Sequence, residues 1–181
     1  MSLHSFNVEA IVLKRSNYGE ADRIVTLFTK DSGKWAVIAK GVRKANSKRA
    51  ASIEVGTQIK AMVIKGHGMD ILGQTIILNS FSQAKQNLVN CTQLYQLLEV
   101  VDSLTQEDQS LPEIYEILIN TLMLLPNHTQ KKVLLLQSFK DITHILGFTP
   151  PEDISELALK NYIESIAERK LKSKDFLNTK S

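Results

Sequence analysis

The first eighty residues alternate between short runs rich in β-branched and apolar residues and clusters of turn-forming residues. The turn clusters include Ser16–Gly19, Lys30–Gly33 and Gly66–Gly68. Such runs, bounded by Gly, Asn, Asp and Ser, indicate strands. The pattern predicts five of them, which are Phe6–Leu13, Arg23–Thr29, Lys34–Lys40, Gln58–Ile64 and Asp70–Leu78.

Five short strands with an irregular connection between the third and the fourth predict a small, partly open barrel. An OB-fold satisfies this pattern, and an SH3-like barrel would produce nearly the same one. Periodicity alone does not separate the two folds.

From Ser82 onward the apolar residues recur at helical spacing, which predicts four helices. Ser110 and Thr129 are placed to cap the second and the third helix, and Gly147 to end the third. The last helix is expected to run from about Asp153 to Lys170, before a polar tail from about Lys172. Residues expected on the buried faces include Leu88, Leu94, Leu97, Ile114, Leu118, Val133, Phe139, Leu157 and Tyr162. We therefore expect a β-then-α chain with a barrel domain at 1–80 and an all-α domain at 81–181.

Composition restricts the class of protein. The 181 residues are 43% hydrophobic and 23% charged, which is typical of a globular protein. The chain lacks both an apolar run long enough to cross a bilayer and the pattern of a signal peptide. The single cysteine, Cys91, excludes an internal disulfide. These features predict a soluble cytoplasmic protein without a membrane partner.

Charge distinguishes the two halves. Residues 1–80 carry twelve Lys and Arg against six Asp and Glu, a net charge of +6, whereas residues 81–181 carry ten against thirteen, a net charge of −3. The positive charge is concentrated in the stretch AKGVRKANSKRAA, and no carboxylate lies between Asp31 and Glu54. Such an asymmetry points to a polyanionic partner for the first half.

The candidate contacts to a phosphate backbone are the cations of this stretch and one on the preceding strand. A loop that leaves a barrel strand can line a binding groove, and its cations can follow phosphates. Lys34 shares one face of the third strand with Lys40, whereas Trp35 lies on the opposite face with Val37. We expect Trp35 in the core, and the alternative is that it stacks on a base, for which Tyr18 in the first turn is a second candidate. The alternative is that this stretch is a surface loop whose lysines only keep it soluble. The predicted DNA-binding residues are Lys34, Lys40, Arg43, Lys44, Lys48 and Arg49.

The sequence shows no arrangement typical of an enzyme. The four histidines stand apart, without a second ligand at helical spacing, and neither a nucleotide-binding glycine loop nor a nucleophile with a base is present. We predict no catalytic residues, no metal and no cofactor.

The first half resembles bacterial RecO, the recombination mediator of the RecFOR repair pathway. Four blocks carry the resemblance in order and spacing: Glu9–Leu13, Tyr18–Thr29, Gly33-Lys34, and Ala39–Lys44 with Ser47. It continues more weakly to Gly147–Pro150. The resemblance implies an OB-fold followed by a helical domain, with DNA contact at Lys40, Arg43 and Lys44 and, just beyond them, Lys48 and Arg49.

The resemblance also implies a non-enzymatic activity. RecO binds single- and double-stranded DNA, anneals complementary strands and helps to load the RecA recombinase. Its partners would be RecR and the acidic C-terminal tail of single-strand-binding protein, for which Lys131, Lys132 and Lys140 are candidates for a basic groove.

One departure from the family is expected to matter. Many members carry a four-cysteine zinc module after the Gly-x-x-Pro segment, whereas here Pro151 leads directly into an acidic segment without cysteines. We therefore expect no zinc site. Two other functions stay open: a protein-interaction adaptor built on the barrel, and an RNA-binding module without DNA-annealing activity.

Overall fold

The chain folds into two units, which the computed structural model describes for residues 4–151 and 154–172. The first unit comprises the chain up to Ser80 together with Gln106–Pro112, and the second comprises Phe81–Thr105 together with the chain from Glu113 onward. In the described ranges, none of the helices combines the length and the apolar composition that crossing a bilayer requires.

Five strands form a closed barrel in the first unit. The strands are β1 (Ser5–Tyr18), β2 (Asp22–Thr29), β3 (Gly33–Ala39), β4 (Gln58–Ile64) and β5 (Asp70–Asn79). Their order around the barrel is β1-β2-β3-β5-β4, and a 3₁₀ helix, Ala51–Ile53, lies between β3 and β4. β3 pairs with β5 in parallel, whereas all other pairs are antiparallel. The prediction of a five-stranded OB-fold barrel followed by helices is confirmed.

β1 is longer than predicted because it takes part in two ladders. Its first half pairs with β4, and its second half pairs with β2 as far as Tyr18 opposite Asp22. The register shifts between Val12 and Lys14, which indicates a bulge where the strand passes from one ladder to the other. The polar Ser16–Tyr18 segment was predicted to end the strand, and this was wrong because its backbone is held by β2.

Alternate side chains of the strands fill the barrel. On β3, Val37 and Ala39 are buried in this core, and the partly buried Trp35 packs against it. Two core residues come from the connection between β3 and β4: Val42, which is 3% exposed, and Ile53 of the 3₁₀ helix. The connection is therefore anchored in the core directly after it leaves the barrel. The buried cluster consists of Ala10, Val12, Val25, Leu27, Val37, Ala39, Val42, Ile53, Ile59, Ala61, Val63 and Leu72.

Residues 106–112 return from the helices to the barrel unit and approach the β2–β3 turn. Glu107 forms a parallel bridge with Lys34. Gly33 adopts a left-handed backbone with φ of 71°. A Cβ atom on Gly33 would lie 1.8 Å from the carbonyl oxygen of Gln109. Only glycine permits this approach of the two backbones.

Among its described residues, the second unit contains five helices: α1 (Ser82–Lys85), α2 (Leu88–Leu104), α3 (Pro112–Leu124), α4 (Lys131–Ile145) and α5 (Glu156–Ile166). The predicted first helix is two helices, because the side chain of Asn87 accepts from the N–H of Asn90 and starts α2 anew. Gly147 follows α4 in the left-handed conformation, as predicted, with φ of 85°.

The predicted starts of the later helices differ from the structure. α3 begins at Pro112, two residues after Ser110, and α4 is preceded by Gln130, one residue after Thr129. α5 is capped by Ser155, whose side chain accepts from the N–H of Ala158. The predicted first residue of the last helix, Asp153, and the polar tail beyond Lys172 lie outside the described residues.

Three leucine and valine residues were assigned to the wrong helix face. Leu88, Val133 and Leu157 are 83%, 56% and 70% exposed, although each was predicted to be buried. Each lies in the first turn of its helix, where few neighbouring turns cover a side chain. In α5 the buried stripe passes through Leu159 and Ile163 instead.

Replacement of Gly33 tests the approach of residues 106–112 to the barrel. Gly33→Ala is expected to cost about 1–2 kcal/mol for the left-handed backbone and about 1–3 kcal/mol more for the clash with Gln109. Gly19→Ala is the matched control, because Gly19 also has a positive φ but nothing lies within 4 Å of the added Cβ. Denaturant unfolding followed by Trp35 fluorescence gives the free energy of unfolding of both variants. Equal losses of stability would show that residues 106–112 do not pack against Gly33.

Candidate functional site

The basic loop, defined as Lys40 to Ala50, connects β3 with the 3₁₀ helix through successive turns. The N–H of Lys44 donates to the carbonyl of Gly41 over 3.2 Å, and the N–H of Ser47 donates to the carbonyl of Lys44 over 2.9 Å. Gly41 has φ of 68°, a conformation that L side chains rarely adopt. The loop therefore has a defined backbone shape of its own.

The turn between β1 and β2 holds the start of the basic loop. The carboxylate Oδ1 of Asp22 accepts from the N–H of Gly41 over 2.7 Å. The backbone N–H of Arg43 donates to the carbonyl of Ala21 over 2.9 Å, and its guanidinium Nη1 donates to the carbonyl of Gly19 over 3.0 Å. Three hydrogen bonds thus tie this end of the loop to one turn.

The end of the basic loop is held by the side chain of Arg49. Its Nη1 donates to the carbonyls of Leu72 over 2.6 Å and Gly73 over 3.0 Å on β5, and its Nη2 donates to the carbonyl of Lys40 over 2.5 Å. The β3–β5 ladder has only the pairs Val37 with Asp70 and Ile38 with Ile71. The guanidinium therefore joins the two strands just beyond the point where their ladder ends.

The structure separates the six predicted contact residues into three groups. Lys40, Arg43, Lys44 and Lys48 are exposed on the basic loop. Arg49 is half-buried, and its guanidinium is engaged with backbone carbonyls, so we assign it to the architecture of the loop. Lys34 is six residues before Lys40 on β3, which at ~3.3 Å per residue is roughly 20 Å away. The site residues brought together are thus the four exposed cations.

Sequence reasoning did not select two residues beside the basic loop. Asp22 is an acceptor for the loop backbone, and Arg23 pairs in register with Ala39, the last residue of β3. The sequence signal for both was their place at the start of a strand after a Gly-containing turn. It gave no indication that a carboxylate would support a cationic loop.

Groups suited to metal binding do not converge in the part of the chain that the structure describes. Three or more His, Cys, Asp or Glu side chains that could hold a metal ion are not clustered among those residues. Cys91 is half-buried on α2. What the basic loop offers is a fixed array of positive charge.

The helical unit contains an open cavity of about 450 Å³ beside the start of α4. Its lining includes Gln93 of α2, His128 and Lys131. Lys132 also lines it and forms an ion pair with Glu156. Lys140, the third cation of the predicted basic groove, is eight residues beyond Lys132 and is not part of the lining. The groove is thus reduced to two lysines and a histidine.

Comparisons with known proteins place the barrel in a family. Residues 1–81 match the family model described as "Recombination protein O N terminal". The chain is 32% identical over 146 residues to "DNA repair protein RecO" of Symbiobacterium thermophilum, an alignment that covers 80% of this chain and 58% of the relative. It is 40% identical over 99 residues to the protein of the same name from Shouchella clausii, covering 55% of this chain and 39% of the relative. The chain spans about half the length of these relatives.

Substitution of Arg49 tests its role in the loop. Arg49→Lys keeps the charge but not the planar set of donors, so we expect the barrel to lose about 2 kcal/mol and the loop to be cut faster by trypsin. Lys48→Gln, which removes a neighbouring exposed charge, is expected to change stability by less than about 0.5 kcal/mol. Chemical unfolding and limited proteolysis measure the two effects. An Arg49→Lys protein as stable and as resistant as its parent would contradict the assignment.

Proposed function

Because this chain belongs to the RecO family, we propose that it acts in DNA repair as a non-enzymatic DNA-binding protein and that the basic loop is its contact to DNA. One observation carries the proposal: four exposed cations stand on a loop whose backbone is fixed at both ends. Lys and Arg side chains bind phosphates and release counterions, which favours binding irrespective of base sequence. Fixing the loop before binding reduces the conformational entropy that is lost in the complex.

Annealing of complementary strands is the finer activity that this arrangement supports. Two strands repel each other through their phosphates, and a protein that neutralises part of both charges lowers the barrier to their pairing. Contacts to the phosphates leave the base edges free. A loop with Lys40, Arg43, Lys44 and Lys48 as its exposed charged side chains suits this role, as it does the loading of a recombinase onto single-stranded DNA.

Two protein partners belong to the same proposal. RecR is expected from the family alone, and coelution of the two purified proteins on size exclusion tests it. For the acidic C-terminal tail of single-strand-binding protein we propose the cavity beside α4. The start of α4 has no side-chain cap among its hydrogen bonds, and backbone N–H groups at a helix start attract carboxylates. Lys131 adds positive charge at the same place.

The DNA proposal predicts a salt-dependent affinity that depends on the loop. If the four exposed cations each contact one phosphate, log affinity for single-stranded DNA falls against log salt with a slope of about −2.8. Arg43→Ala with Lys44→Ala is expected to reduce the slope to about −1.4 and to weaken binding at low salt by at least about tenfold. Fluorescence anisotropy with a labelled single strand measures both quantities.

The control for this variant is Lys131→Ala with Lys160→Ala, which removes two charges from the helical unit and is expected to leave DNA affinity unchanged. Circular dichroism confirms that every variant is folded. An intact chain that does not bind DNA at low salt would overturn the proposal and favour the adaptor function. An RNA strand bound in preference to DNA of the same sequence would favour an RNA-binding module.

The placement of the acidic tail gives a separate prediction. A synthetic peptide with the acidic tail sequence is expected to bind the intact chain, and Lys131→Glu should weaken it about tenfold by placing a negative charge in the cavity lining. Lys160→Glu makes the same charge change elsewhere on the helical unit. Isothermal titration calorimetry compares them, and equal weakening in both variants would rule out the cavity as the site.

A further inference from the structure

A cluster of two aromatic rings and an ion pair lies toward the start of β3, at the other end of the strand from the basic loop. Phe6 of β1 and Trp35 of β3 contact each other edge to face, with ring centroids 5.9 Å apart and planes inclined by 61°. The ammonium of Lys65, at the end of β4, lies 5.9 Å from the centroid of the Trp35 ring. Asp70, the first residue of β5, completes the cluster.

The carboxylate of Asp70 fixes the positions of its neighbours. Its Oδ2 accepts from Trp35 Nε1 over 3.1 Å and from Lys65 Nζ over 3.0 Å, and its Oδ1 accepts from the N–H of Gly66 over 3.0 Å. Burial raises the pKa of Asp70, but the hydrogen bonds from Gly66, Lys65 and Trp35 and the charge of Lys65 outweigh burial and hold the pKa below its ordinary value. The indole and the ammonium are therefore held in one orientation around a charged carboxylate.

The exposed part of the cluster is aromatic and cationic. The ring of Phe6 is 46% exposed, and the Lys65 side chain is 61% exposed. The Asp70 side chain is 7% exposed, so the negative charge of the cluster faces inward. Aromatic faces beside a cation bind the bases of a single strand, whereas the bases of a duplex are already stacked on each other.

We propose that Phe6, Trp35 and Lys65 form a second nucleic-acid contact, at which one unpaired base stacks on the exposed aromatic surface and Lys65 attracts the adjacent phosphate. The inference rests on the DNA-binding function proposed above and adds a preference for single strands. The basic loop attracts phosphates of any strand, and the aromatic cluster requires an unstacked base. A strand that contacts both would span the distance from the aromatic cluster to the basic loop.

The single tryptophan of the chain makes this contact directly observable, since Trp35 emission is the only indole signal. Titration of the full chain with a poly-dT strand is expected to quench that emission, and a duplex of equal length is expected to leave it unchanged. Phe6→Leu keeps an apolar side chain but removes the ring, and it should weaken single-strand binding about 5- to 100-fold. Duplex affinity should stay the same in this variant.

The matched control is Tyr95→Leu, which removes an aromatic ring of similar exposure, 49%, from the helical unit and should not alter affinity. Thermal unfolding confirms that the variants retain the barrel. If DNA binding is salt-dependent but Trp35 emission is not quenched, and Phe6→Leu binds single strands as tightly as its parent, the aromatic contact is overturned. The proposed DNA-binding function is unaffected by that result. Absence of any DNA binding at low salt would overturn both this contact and the proposed function.

Discussion

The side chain of Arg49 joins the two features on which the proposed function depends, the closed barrel and the basic loop. Parallel strands β3 and β5 share only two residue pairs, so their carbonyls beyond the ladder need other donors. A guanidinium offers five N–H donors in a fixed plane, and here it donates to two carbonyls on β5 and to the carbonyl of Lys40, the residue directly after β3. One side chain thus extends the contact between these strands beyond their ladder and links it to the basic loop.

The cations of this surface have different tasks although they look alike in the sequence. Arg49 holds the backbone, Arg43 both contacts the β1–β2 turn and remains exposed, and Lys40, Lys44 and Lys48 extend into solvent. The distinction follows from the reach of the guanidinium and its several donors, which suit carbonyl groups on separate segments. For the proposed DNA contact, the fixed backbone of such a loop matters as much as its number of charges.

The sequence predicted the barrel well because alternation along a strand is a local property that burial imposes directly. Helix starts were predicted less well, because several Ser, Thr and Asn residues near a helix start are equally suited by type to cap it. Asn87 and Ser155 cap helices in the structure, whereas the sequence also favoured Ser110 and Thr129. The loop cations were found from charge alone. The hydrogen-bond partners of Arg49 were not predicted, because Leu72 and Gly73 are 23 and 24 residues away in the sequence. Long-range contacts of single side chains leave no periodic signal.

The hydrogen bond between Asp22 and Gly41 has a consequence for protein engineering. A designer who wished to strengthen a polyanion-binding surface would begin by replacing the acidic residue nearest to it. Here that residue supplies the acceptor that shapes the first turn of the loop. Replacement of Asp22 would therefore raise the net positive charge but remove a hydrogen bond that holds the loop backbone. Positive charge is better added at exposed positions such as Asn46.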